Sequence, residues 1–250
     1  MIGAVLIILV LLGAWQAYAD LGNVDDFLLP APTQVASALW DDRSLLWHNL
    51  LVTAQEVGLG ILLALVAGAL LAIAIHLFPT LRRALYPLLV GSQAVPIVIV
   101  APLLVVWFGF GIAPKLAIIT LVCFFPVVVT TLDALAAVDP EQLKLLRTLD
   151  ATRWQEFRWV EAPAALPGAL SGAKIAVAIA VIGAVFAEYA GSSEGLGNVI
   201  LQATPQLETA RAYAAVVLLA ALAVLLFFLL SLAERLLVPW ARRDSEWSRR

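Results

Sequence analysis

Few side chains in this sequence could carry chemistry, and those few are scattered through long apolar runs. Glu56 and Glu188 stand within such runs, where a carboxyl is costly and usually faces a bundle interior or a wet cavity. Headgroup depth is the alternative for both, and it suits Glu188 somewhat better. Ser92 and Gln93 add a hydroxyl and an amide close to Pro96 and Pro102. Each proline deprives a carbonyl four residues earlier, at Ser92 and Val98, of its helical donor. In lipid such carbonyls are tolerated where protein or a water-filled cavity satisfies them. Glu56, Ser92, Gln93, Pro96, Pro102 and Glu188 are therefore candidates for lining a polar path, and Gln93 suits a neutral heterocycle or an oxyanion alike. A packed, merely kinked helix is the competing reading. Were both carboxylates on the path, a strongly anionic solute would be disfavoured.

Other chemistry finds little support. His48 and His76 have no Cys or His at ligand spacing, so no metal site is expected. Cys123 is the single cysteine and reads as a small buried hydrophobe. The "GALSGAK" stretch, Gly168 to Lys174, lacks both the spacing of a phosphate loop and the Ser or Thr after its lysine. The "AGSSEGLG" segment, Ala190 to Gly197, holds no nucleophile with a credible base and reads as a turn between spans.

The elements that must position these groups follow from composition. The chain has 250 residues, is 63% hydrophobic and 13% charged, and has a mean hydropathy of +0.98. A soluble domain carries about a quarter charged residues, so this is an integral membrane protein. A net charge of −3 without runs of like charge points away from nucleic acid. Stretches at about 2–19, 50–77, 84–108, 112–132, 172–190 and 212–238 reach the roughly 20 apolar residues of a span. The prediction is an all-α membrane protein of about six transmembrane helices. Residues 1–49 form a first helix and outer loop, 50–238 a five-helix core with a polar loop at about 133–171, and 239–250 a tail. Ala17-Tyr18-Ala19 resembles a signal-peptidase site, but no Lys or Arg precedes the first apolar run, so that helix is expected to be retained.

Twelve of the 15 Lys and Arg fall on one side of this topology. Arg43, Lys115 and Arg211 fall on the other, along with most of the acidic 20–49 segment. By the bias of basic residues toward the cytoplasm, both termini and the polar loop face inward.

The polar loop has the marks of folded structure. Asp139-Pro140-Glu141 combines an N-cap acceptor, a first-turn proline and an acid at the positive helix end. Leu143, Leu146 and Leu149 then share a face. The helix is expected to stop near Asp150, and Thr152 with Gln155 forms a capping-box pattern that starts a second one. Trp154, Phe157 and Val160 give that helix its own stripe, with Pro163 and Pro167 expected to end it. Helices lying among lipid headgroups would show much the same pattern.

With its spacing, this loop resembles the cytoplasmic signature of permease subunits in bacterial ABC importers, Glu-Ala-Ala, three residues, Gly, nine residues, Ile, one residue, Leu-Pro. Here Lys144-Leu145-Leu146, Asp150, Val160 and Ala162-Pro163 occupy those places. Spacing is kept while letters depart, most seriously at Asp150 and Lys144. "FLLPAPTQVASAL", "SQAVPIVIVAPLLVVWFGFGIAPK" and "GLGNVILQA" resemble the nitrate, sulfonate and taurine branch, whereas "WFGFG", "CFFPVVVTTLDAL" and "AERLLVPW" are closer to permeases for thiamine-precursor pyrimidines or riboflavin.

The resemblance implies a type I importer fold in which two permease copies, expected to be identical, sit in lipid on two ATPase subunits and receive a small solute from an extracytoplasmic binding protein. ATP and Mg would be held by the ATPase, with no cofactor on this chain and no enzymatic activity of its own. It also implies that the loop enters a groove on the ATPase through Glu141, Lys144, Leu146, Arg147, Leu149, Asp150, Ala151, Arg153 and Trp154. The cargo expected is a thiamine-precursor pyrimidine or riboflavin, with sulfonate, taurine or nitrate as the alternative. A lone secondary transporter or channel is the rival from another class, but it would more often show an internal repeat and a mid-membrane coupling charge. An intramembrane enzyme would need a catalytic constellation within the spans, and none stands out.

Overall fold

In hydrocarbon every backbone N–H and C=O must be satisfied within the protein, which leaves long apolar segments the helix as their solution. The computed structural model, which describes residues 2–22 and 25–240, is helical, with no strand among the described residues. Its elements are α1 (Ile2–Leu21), α2 (Pro32–Asp41), α3 (Arg43–Leu77), α4 (Pro79–Ser92), α5 (Ile97–Phe108), α6 (Ile112–Ala136), α7 (Pro140–Thr148), α8 (Arg153–Glu156), α9 (Ala162–Gly191), α10 (Leu196–Ala203) and α11 (Thr209–Leu237). Most of the expected 239–250 tail, with Arg242, Arg243, Arg249 and Arg250, lies outside the described residues.

Of the six expected spans, four are single helices among the described residues, one is a bent pair, and the first is an apolar helix shorter than a span. Arg43–Leu77, Ile112–Ala136, Arg153–Gly191 and Thr209–Leu237 are each long and apolar enough to cross alone. The predicted 84–108 helix is instead α4 and α5, which meet at 103° and meet the criterion for a span only as a pair. Proline is the cause: Pro96 pushes Val95 away from helical geometry, so the chain leaves α4 at Ser92, turns, and restarts with Pro96 as the N-cap of α5. The turn partly satisfies the Ser92 carbonyl, which accepts from Val95 N at 3.4 Å. The remaining apolar stretch is Leu6–Leu21 of α1, whose Leu6 to Leu12 side chains are exposed.

A second difference concerns Pro163 and Pro167. They were expected to end the loop's second helix, yet α8 runs through a π-helical turn at Phe157–Glu161 into α9. Pro167 lies inside α9, and Pro163 follows the π turn as the second residue of that helix. Before it, Ala162 N bonds back five residues to Phe157 O.

The core is the contact of α3, α6 and α9, and it is built on small residues. Ala176, Ala180, Ala184 and Ala187 of α9 are buried, and small residues at such spacing let membrane helices approach closely. Cys123 is buried there too, its Sγ donating to Ala176 O at 3.3 Å. Gly172 occupies such a crossing, since an added Cβ would overlap the Thr130 hydroxyl. Toward the loop end, Lys174 of α9 pairs with Glu234 of α11. At the other end Trp15 of α1 packs against Tyr213, with ring centroids 5.9 Å apart and planes tilted by 44°, and Gln16 joins α1 to Thr33.

Overpacking a tight crossing costs about 1–3 kcal/mol, so Gly172→Val is expected to lower the thermal midpoint of the detergent-purified protein. Gly58, which has open space around it, is the control: Gly58→Ala should be neutral or slightly stabilising.

Candidate functional site

Two polar clusters occupy opposite ends of the core. At the end formed by the start of α3, Asn49, Thr53 and Glu56 recur at spacings of four and three on one helical face, and all three are buried. Asn49 Oδ1 accepts from Gly195 N at 2.6 Å, and Thr53 Oγ1 accepts from Leu196 N at 2.9 Å. Thr53 in turn donates to Glu188 Oε1 at 2.7 Å, and Glu188 Oε2 accepts from Gly197 N at 2.5 Å. The first backbone donors of α10, which have no intrahelical acceptor, are thus held by α3 and α9. Gly195 serves this closure twice, through its φ of +107° and because a Cβ there would strike the Glu188 carboxylate. Beside it, Lys115 Nζ pairs with Glu56 Oε1 at 2.5 Å, both groups nearly excluded from solvent.

The sequence reading set Glu56 and Glu188 beside a wet path or at the headgroups. The structure puts both inside the protein, 3% and 0% exposed, as parts of this lock. The charge argument against an anionic solute no longer follows from them. Ser92 and Gln93 are exposed at the α4–α5 bend, where they border an otherwise apolar cavity of about 210 Å³ between α3, α4 and α6. Pro96 forms the corner and Pro102 lies within α5, both exposed.

The opposite end carries the 137–152 loop. Asp139 caps α7 by accepting from Glu141 N at 2.9 Å. Leu149 ends the helix, Asp150 turns the chain with φ +56°, and Ala151 N returns to Leu146 O at 3.2 Å. Aspartate takes this left-handed conformation more readily than most residues, which keeps the bend without glycine. Thr152 and Gln155 then close the capping box of α8. Of the residues expected to meet a partner, Lys144 and Glu141 form an exposed pair at 2.7 Å, a kind that contributes little. Arg147 is bidentate to Glu156 at 2.8 and 3.1 Å, which ties α7 to α8. Leu146 and Ala151 are half-buried, whereas Leu149 is 71% and Trp154 57% exposed.

Sequence reasoning missed Lys115, Thr53 and Asn49 of the lock and the Glu156 and Glu161 partners in the loop. The polar stripe of Asn49, Thr53 and Glu56 was a legible signal. Their partners across helices were not.

A core of tightly crossed spans, one broken span and a folded loop between α6 and α9 define a multi-pass helical membrane protein. Residues 60–243 match the model of a family described as the inner membrane component of binding-protein-dependent transport systems. The formylaminopyrimidine transport permease protein of Halalkalibacterium halodurans is 35% identical over 240 residues, covering 96% of each chain. The riboflavin transport system permease protein of Chloroflexus aurantiacus is 36% identical over 241 residues, covering 96% of this chain and 90% of that one. A chain of the MetNI methionine ABC transporter, solved facing inward, shares the fold with a TM-score of 0.67 at 20% identity, covering 80% of this chain and 97% of that one. The chain belongs to the family of binding-protein-dependent inner membrane components and is a type I ABC importer permease.

Removing one partner of a buried ion pair costs about 3–5 kcal/mol, so Lys115→Met should sharply lower thermal stability in detergent. Pairing it with Glu56→Gln should restore most of the loss. Thr53→Val leaves both Leu196 N–H and Glu188 short of a partner and should cost about 1–3 kcal/mol in the same measurement.

Proposed function

We propose that this permease forms the membrane path of an ATP-driven importer and receives its force through the 137–152 loop. The loop faces the cytoplasm, as the distribution of Lys and Arg favours, and its bend enters a groove on a separate ATPase subunit that binds and hydrolyses ATP. A second copy of the permease completes the path, and an extracytoplasmic binding protein delivers the solute to the opposite end. The broken span of α4 and α5, with Ser92 and Gln93 at its corner, lines the passage.

The observation that carries this reading is the exposure of Leu145, Leu149 and Trp154 around a rigid, charged bend. Apolar side chains on the spans face lipid, but these three sit among Glu141, Lys144, Arg147 and Arg153, where burial against a protein stabilises them best. Burying one large apolar side chain contributes about 1.5–3 kcal/mol. Leu149→Glu or Trp154→Glu should therefore weaken co-purification with the ATPase subunit by about tenfold or more, while the permease stays folded and membrane-inserted. Retention of full ATPase affinity by both variants would count against the reading.

For the cargo, the likeness to formylaminopyrimidine and riboflavin permeases over nearly the whole chain supports a nitrogen heterocycle. Titration of the partner binding protein with formylaminopyrimidine, riboflavin, taurine and nitrate is the test. Binding of a heterocycle is the expected result, and binding of taurine or nitrate alone overturns the cargo while leaving the architecture in place.

A further inference from the structure

Behind the exposed bend, on the side that faces the bundle, lies a charge cluster that docking alone does not use. His76, in the last turn of α3, places Nε2 2.9 Å from an Arg153 guanidinium nitrogen and 3.0 Å from Glu161 Oε2. Arg153 donates to the same Glu161 oxygen at 2.7 Å and reaches Glu156 Oε2 at 3.4 Å. Glu156 and Glu161 are each 3% exposed. A group left unpaired here would keep the full cost of desolvation. Three elements meet at this point: the end of α3, the loop through α8, and the π turn that opens α9.

The π turn supplies the geometry. Residues five apart on an α-helix point about 140° away from each other, yet Glu156 and Glu161 both contact Arg153. Widening the helix across Phe157–Glu161 brings them to one side. π turns recur at functional positions for this kind of reason.

The chemistry of His76 is also specific. A guanidinium only donates and a carboxylate only accepts. Nε2 is within reach of both, so with its proton it serves Glu161, and without it Nε2 serves Arg153. It makes one of the two bonds at a time, while the Arg153–Glu161 pair stands in either case. The tie can thus exchange partners without opening.

We propose that His76 is a positioning residue which, through Arg153 and Glu161, makes the docking loop move together with α3 and α9. Without this cluster, motion of a loop held on its outer face would reach α9 only through the π turn and would not reach α3 directly. The cluster supplies the inner grip, and so deepens the coupling reading on which it rests. Coupling of two sites requires such an element, one that both ends bias.

The test uses the whole complex in proteoliposomes, permease with ATPase and binding protein. Three variants, His76→Ala, Glu161→Gln and His76→Gln, are each combined with Thr148→Cys, an exposed position beside the bend, and compared with the Thr148→Cys parent. ATP hydrolysis is measured with and without the loaded binding protein, together with the yield of a thiol-to-amine crosslink from position 148 to the ATPase. His76→Ala and Glu161→Gln should lose stimulation by about fivefold or more while basal hydrolysis and crosslink yield persist. His76→Gln should keep stimulation, because its amide accepts from Arg153 and donates to Glu161. Undiminished stimulation in His76→Ala with the crosslink intact overturns the proposal, and so does His76→Gln failing as badly as His76→Ala. A parent that forms no crosslink sinks the docking reading itself. Should Glu161→Gln fail to assemble, the reversed pair Arg153→Glu with Glu161→Arg carries the same test, with recovered stimulation supporting the tie and lost stimulation refuting it.

Discussion

The carboxylate of Glu188 is the contact on which the architecture at the start of α3 depends. It sits where water is excluded, so it must be fully hydrogen-bonded, and the donors that satisfy it come from Thr53 on α3 and from the backbone at the start of α10. One side chain therefore fixes the mutual position of α3, α9 and α10. The same arrangement disposes of the orphan N–H groups that any helix start exposes, in a part of the protein interior that solvent does not reach. Glycine at position 195 is required by this closure and not by flexibility, since the carboxylate occupies the volume a side chain would take.

The two ends of the bundle solve different problems with similar residues. At the lock, charge is withdrawn and neutralised, and Lys115 pairs with Glu56 almost out of contact with solvent. At the loop, charge is half-withdrawn: Glu156 is buried whereas its partner Arg147 has a 61% exposed side chain. That asymmetry ties down one surface of the loop and leaves the other open. Leu145, Leu149 and Trp154 are exposed on that open surface, which separates them from the many exposed leucines of the spans whose neighbour is lipid.

Much of this was legible beforehand, for identifiable reasons. Apolar run length located α3, α6, α9 and α11, because hydrocarbon thickness sets a lower limit on a span. Local capping chemistry located α7 and α8, since Asp139, Thr152 and Gln155 act on backbone groups two or three residues away. What failed was anything that depends on distant partners. Pro96 signalled a break, but its sharpness depends on how α4 and α5 pack. Pro163 signalled an end, yet a π turn carried the helix through. Glu56 and Glu188 looked like groups awaiting solvent because Lys115, 59 residues from Glu56, and Thr53, 135 residues from Glu188, are close only in the folded chain.

Helix α3 is continuous from Arg43 to Leu77 and carries Asn49 at one polar cluster and His76 at the other, roughly 40 Å apart at 1.5 Å per residue. Each added or deleted residue between them would turn one cluster about 100° relative to the other. The stretch therefore behaves as a phase-locked rod whose residue count is itself a constraint. Its apolar letters can be exchanged freely for others of similar bulk, while its length tolerates no change that a local bulge does not absorb.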